Sequence, residues 1–286
     1  MRALAVLLLV VTAFTALYLA LTSSLLRLLL AAYVFMGLAF SAVSYIVYYK
    51  KLEFLAAGSV HAALFTVALG VLLEALTGVS YYVYALLTGL LIVCAAGFAS
   101  GRLISPEKAS AIVVSSTSAT AVLLSYYILT RMPGRVSLSA LILGDPLLLT
   151  ELEAYAAIAS SLAVLAATLA IRLVLVEISA DSVGARLAGA STVLYELVAY
   201  MLIAFTTVGL LKLAGYVMEH VLLMLPAISA AVASKSTREH FALTLLYGAF
   251  SSSTGFLLAR VFGASPTGLT GVVLILLLLV SYLWRR

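Results

Sequence analysis

The stretch LLRLLLAAYVFMGLAFSAVSYIVYYKK, Leu25 to Lys51, decides the fold. After Arg27 it carries no charge until Lys50, and Lys51 follows at once. Roughly 20 apolar residues are enough to cross a bilayer as a helix. Only helices and closed barrels satisfy every backbone N–H and C=O where water is absent. The stretch therefore reads as one membrane span near Leu25–Tyr49, with Tyr48 and Tyr49 as interface anchors.

The same pattern of apolar runs and short polar breaks recurs on both sides. Spans are expected near Ala3–Leu21, Phe54–Leu76, Tyr81–Ser100, Ala109–Thr130, Tyr155–Val176, Thr192–Leu213, Tyr216–Ser234, Phe241–Val261 and Gly268–Trp284. The expected fold is all-α, a polytopic transmembrane bundle of about eight to ten spans, forming one domain over residues 1–286. Met1-Arg2 and the run after it have the order of a signal peptide. The run from Ala3 to Leu21 is longer than the usual apolar region of about 7–15 residues, so it reads as a first span. Val136–Thr150 is too short to cross and reads as an outer loop or a partly inserted stretch.

Composition agrees. Of the 286 residues, 65% are hydrophobic and only 9% charged, too few charges to cover a soluble surface. The net charge of +5 is spread between apolar runs and not gathered on a polar segment, so no nucleic-acid partner is expected. Cys94 is the single cysteine, which excludes a disulfide framework and a cysteine-based metal site.

Lysine and arginine give the orientation. With the N-terminus inside, the inner breaks hold Arg2, Lys50, Lys51, Arg102, Lys108, Arg172, Arg186, Lys235, Arg238, Arg285 and Arg286. The outer side holds Arg27, Arg131, Arg135, Lys212 and Arg260. Eleven against five places both termini in the cytoplasm. The longest inner break, Glu177–Ser191, suits a short amphipathic helix capped by Ser179 or Asp181. It reads as a solvated loop or as a docking surface for a cytoplasmic partner.

No GxxxxGK[ST], HExxH or GxSxG motif occurs, so the chain has no nucleotide cradle of its own and no hydrolytic constellation. The informative residues are ionisable ones inside apolar runs, because each costs free energy in hydrocarbon. His61 reads as a buried imidazole bonded to a neighbouring helix, or as a metal ligand or gate. Glu219 and His220 are adjacent in one span, and adjacent helical residues point about 100° apart, so one of them is expected to face any given path. Glu74 and Glu196 lie near span ends and read as solvated or paired. Pro226 reads as a plain kink, or as a bend that lets a helix line a path.

Several segments resemble the permease subunit of metal-ion ABC transporters, the family that imports zinc, manganese or iron(II). KKLEFLAAGSVHAAL (Lys50–Leu64) resembles its basic loop followed by a helical histidine. EKASAIVVSSTSA (Glu107–Ala119) resembles its fifth span, and LILGDPLLLT (Leu141–Thr150) its outer Gly-Asp segment. ADSVGARLAGAS (Ala180–Ser191), followed by Glu196, is similar to its cytoplasmic coupling segment. LKLAGYVMEHVLLMLPAISAAVA (Leu211–Ala233) keeps the spacing from Gly215 to Pro226, and GASPTGLTGVVLILLLLV (Gly263–Val280) resembles the closing span.

The resemblance implies a plasma-membrane permease that moves Zn²⁺, Mn²⁺ or Fe²⁺ by alternating access, with no tightly bound cofactor. Its implied partners are a cytoplasmic ATP-binding subunit, an extracellular metal-binding protein, a second copy of itself and the bilayer. It implies metal contact at His61 and coupling to the ATPase through residues 178–191, with Asp181, Arg186 and Gly189 as contacts. Two departures stand out. The family's carboxylate four residues before the histidine is Ala57 here, and its Pro-Gly after the histidine is Phe65-Thr66. Glu219 and His220 occupy positions that are usually apolar in the family, and they are expected to replace the missing metal ligand. Two other readings stay open: an ion-coupled secondary transporter with Glu219 and His220 as a proton relay, and a non-transporting scaffold.

Overall fold

A computed structural model describes Thr12 and residues 23–132 and 144–285. The expected span Ala3–Leu21, apart from Thr12, and most of Val136–Thr150 lie outside the described residues, as do Arg2, Arg135 and Arg286. Ten α-helices and one 3₁₀ turn follow, with no strand among the described residues. They are α1 (Ser24–Lys50), α2 (Glu53–Thr77), α3 (Tyr81–Ala99), α4 (Pro106–Arg131), the turn Pro146–Leu148, α5 (Glu151–Ala180), α6 (Ser182–Leu187), α7 (Thr192–Ala214), α8 (Tyr216–Ala233), α9 (Thr237–Phe262) and α10 (Pro266–Arg285). Eight of them are long and apolar enough to cross a membrane; α8 contributes a shorter apolar stretch, Met218–Ala233.

The helix ends fall where polar side chains can close them. Ser23 caps α1 by accepting from Leu26 N. Thr150 and Glu153 form a reciprocal capping box at the start of α5. Asp181 caps α6, accepting from the N–H groups of Val183 and Gly184. Ser179, the other expected cap, donates instead to Leu175 O inside α5. Helix α5 runs about a turn beyond the expected span at each end, so the inner break shortens to residues 181–191.

Basic residues gather at two ends of the bundle. At one end Glu196 of α7 holds both Lys50 Nζ and Arg102 Nη2 at 3.1 Å. At the other, Lys212 of α7 reaches Glu153 at the head of α5 at 2.6 Å. Glu74 closes the α2–α3 turn by accepting from Tyr81 N at 2.9 Å. Both span-end glutamates named above are therefore partnered.

Helix α1 is the inner post, packed against α5, α7, α8 and α9. Its contact with α9 depends on missing side chains: a Cβ at Gly37 would strike Ser252, and one at Gly248 would strike Ser41. Membrane helices use small residues in this way to bring backbones close enough for dispersion contact. On the other side α2 packs against α3 and α4, and α7 joins the two groups. Helix α4 lies on the outside and buries only Ala109, Thr117, Ala121 and Ile128.

Candidate functional site

Pro226 has no N–H to give, so α8 needs help where its ladder breaks. Ser44 of α1 supplies it, donating to Met224 O and accepting from Ala227 N, each at 3.3 Å. His240 of α9 lies 2.9 Å from Ala227 O through Nε2, and its Nδ1 is 3.2 Å from the Tyr49 hydroxyl. The rings of Tyr45, Tyr48 and Tyr49 surround that imidazole. Tyr48 and Tyr49, read from the sequence as interface anchors, thus also wall in a buried histidine. The lower half of α8 is fixed by this clamp.

The upper half carries the candidate site. Tyr216 and His220 are four residues apart and share a face of α8. That face meets α2 at His61. The His61 and His220 rings stand 5.4 Å apart between centroids at 78°. His61 Nδ1 is 2.7 Å from Ser118 Oγ of α4 and 2.8 Å from the Tyr216 hydroxyl, which is also 3.3 Å from Nε2. His220 Nδ1 faces Tyr216 O at 3.3 Å, so it carries the proton and donates, which leaves Nε2 with its lone pair. Imidazoles that ligate metals are commonly oriented this way, by a hydrogen bond from the far nitrogen.

A cavity of about 470 Å³ opens beside His61, Ser118 and Tyr216. Its outer wall is Val122, Tyr126 and Leu129 of α4, with exposures of 70%, 70% and 60%. The cavity therefore opens on the outer face of this chain.

Glu219 does not join this group. It is fully buried, and neither carboxyl oxygen has a hydrogen-bond partner among the described residues. No three His, Cys, Asp or Glu side chains among the described residues converge as a metal site. Of the three residues singled out as ligands, the structure brings His61 and His220 together and turns Glu219 away. Ala57 sits one turn before His61, partly buried and without a donor.

Sequence reasoning missed Tyr216 and Ser118, because tyrosines and hydroxyls are common in spans. The available signal was the four-residue spacing of Tyr216 and His220.

Arg186 of α6 borders a polar cavity of about 460 Å³ with Ser100, Arg102, Ser182 and Glu196. Val183 and Leu187 of the same short helix are 65% and 85% exposed. Gly189 follows with φ +91°, a conformation few other residues adopt without strain. The expected coupling residues thus gather at the end held by Lys50, Arg102 and Glu196.

Comparison with known proteins adds the relationship. The model of the ABC 3 transport family matches residues 22–285. Among solved structures, the chain is similar to PsaBC from Streptococcus pneumoniae in complex with Fab, with a TM-score of 0.78 and 20% identity over 91% of this chain and 92% of that one. It is also similar to a metal-chelate type ABC transporter in an inward-facing conformation, with a TM-score of 0.69 and 18% identity over 100% of both chains. At these identities the likeness is one of fold. No curated protein matches the chain.

Proposed function

This chain belongs to the ABC 3 transport family, a multi-pass protein of the plasma membrane, and on that premise we propose that it is the permease half of an importer for divalent metal ions. One observation carries the reading beyond the family. An ion site cannot open into lipid, because polar and ionisable groups at membrane depth face protein or a water-filled path. Here the cavity beside His61 opens across the exposed face of α4. A second copy of the chain closes it and supplies the other wall of the path. A stand-alone secondary transporter has no need of such an open side.

The inner end, with Lys50, Arg102 and Arg186, faces the cytoplasm by the excess of basic residues there. Partner ATPases dock on α6, where Val183 and Leu187 offer apolar contacts and Asp181 and Arg186 the charged ones. Closure of the ATPases on ATP moves α6. The motion passes through α7, tied to α1 and to the α3–α4 turn by Glu196. The bundle then exposes the His61 site to one side or the other. An extracellular binding protein delivers the ion, which is Zn²⁺, Mn²⁺ or Fe²⁺.

The test is co-purification of an ATPase with this chain, followed by ATP hydrolysis in proteoliposomes across a panel of divalent ions. Stimulation by one or more of these ions is expected. A chain that transports without an ATPase, driven by a proton gradient, contradicts the reading and favours the secondary transporter.

A further inference from the structure

We propose that this chain holds its ion through two imidazole nitrogens, one from His61 and one from His220, with no carboxylate from the chain, and that it therefore favours Zn²⁺ and similar borderline ions over Mn²⁺. The inference rests on the importer reading and names its substrate class.

Geometry carries it first. Imidazole binds zinc at about 2.0–2.1 Å, so two ring centroids on one tetrahedral zinc stand about 5.2 Å apart. The observed separation is 5.4 Å. His220 Nδ1 is committed to Tyr216 O, and His61 Nδ1 to Ser118 and Tyr216. His220 Nε2 is left for an ion. His61 Nε2 has only the longer contact, 3.3 Å, to the Tyr216 hydroxyl, which stays 2.8 Å from Nδ1 and gives up Nε2 when an ion binds. The two histidines come from different helices, so a shift of α8 against α2 makes or breaks the pair. A site that must release its ion gains from that, and from coordination positions left to water.

Chemistry carries it second. Manganese prefers carboxylate, carbonyl and water oxygens, whereas imidazole suits zinc, copper, iron and nickel. The helix positions that share the His61 face are Ala57, Gly58, Leu64 and Phe65, so none adds a carboxylate. Glu219 is next in sequence to His220, yet it is fully buried and does not converge with the two imidazoles as a metal site. The ion is thus offered nitrogen and no charged oxygen.

The experiment is titration of the purified full chain in detergent with Zn²⁺ alone and with Mn²⁺ alone, together with X-ray absorption at the zinc edge. Two imidazoles per zinc are expected in the wild type and one in His220→Gln. Loss of a ligand should weaken zinc binding by about 100-fold, at the upper end of what even outer-shell changes cost. Ala57→Asp adds an oxygen donor beside His61 and should raise Mn²⁺ affinity by about tenfold, narrowing the gap between the ions. That gain cannot come from misfolding. Equal affinity for the two ions in the wild type, or an unchanged imidazole count in His220→Gln, overturns the two-nitrogen site and leaves the importer reading standing. No binding of either ion overturns both.

Discussion

Helices α1 and α4 are nearly the same length, 27 and 26 residues, and both are apolar enough to span. Helix α1 is buried along most of its length, while α4 is exposed along most of its own. Hydropathy sees no difference of kind between them, because lipid and protein interior are both apolar. What separates them is detail. Helix α1 carries Gly37, Ser41 and Ser44, which admit α9 and brace α8. Helix α4 carries Ser116 and Thr120, exposed hydroxyls that bond back to Ile112 O and Ser116 O at 2.7 Å. One helix is built to be surrounded. The other is left open beside the candidate ion path.

The contrast breaks most easily at Gly248. Gly248→Leu forces a side chain into Ser41 and should cost about 3 kcal/mol, the upper end for overpacking. Thermal unfolding in detergent measures it, and a loss below about 0.5 kcal/mol, the scale of an ordinary surface change, would deny the close α1–α9 contact. Arg186→Glu comes next. With the charge on the docking helix reversed, transport should fall by about tenfold while ATP hydrolysis persists. Transport and hydrolysis measured together in proteoliposomes check this, and coupled wild-type activity would remove Arg186 from the docking surface.

A smaller effect is expected at Glu196, which holds Lys50 and Arg102 in a partly exposed pair of ion contacts. Glu196→Gln should cost about 1 kcal/mol, seen as a small drop in unfolding temperature that salt reduces in the wild type. The smallest effect on the single chain is at Ala119, exposed on α4. Ala119→Leu should change its stability by less than about 0.5 kcal/mol. If the α4 face is covered by a second copy, the same change should weaken pairing, as read by mass of the detergent complex.

The helices themselves were legible in the sequence. Apolar runs broken by Lys50-Lys51, by Arg102 and by Ser234-Lys235 mark the ends to within a few residues, because charge at membrane depth is costly. Asp181 could be named as a cap from its position before a short helix, and Ser179 was the losing alternative. His61 and His220 stood out as ionisable groups in apolar surroundings. Their meeting was not legible, since it depends on how α2 and α8 cross. That one of Glu219 and His220 would face away was legible from the turn of about 100° between neighbours; that it is Glu219 depends on which helices surround α8. Lys50, Arg102 and Glu196 are likewise far apart in the chain, and only the fold joins them. The first apolar run, Ala3–Leu21, lies outside the described residues except at Thr12.

The most direct test of the account is ATP-dependent ion uptake by proteoliposomes that hold the chain with its ATPase, wild type against His61→Ala. The account predicts zinc accumulation in the wild type that requires ATP. It predicts loss of that accumulation in His61→Ala, although the variant still assembles with the ATPase. Uptake that needs no ATP, or that is equal in the variant, would contradict it.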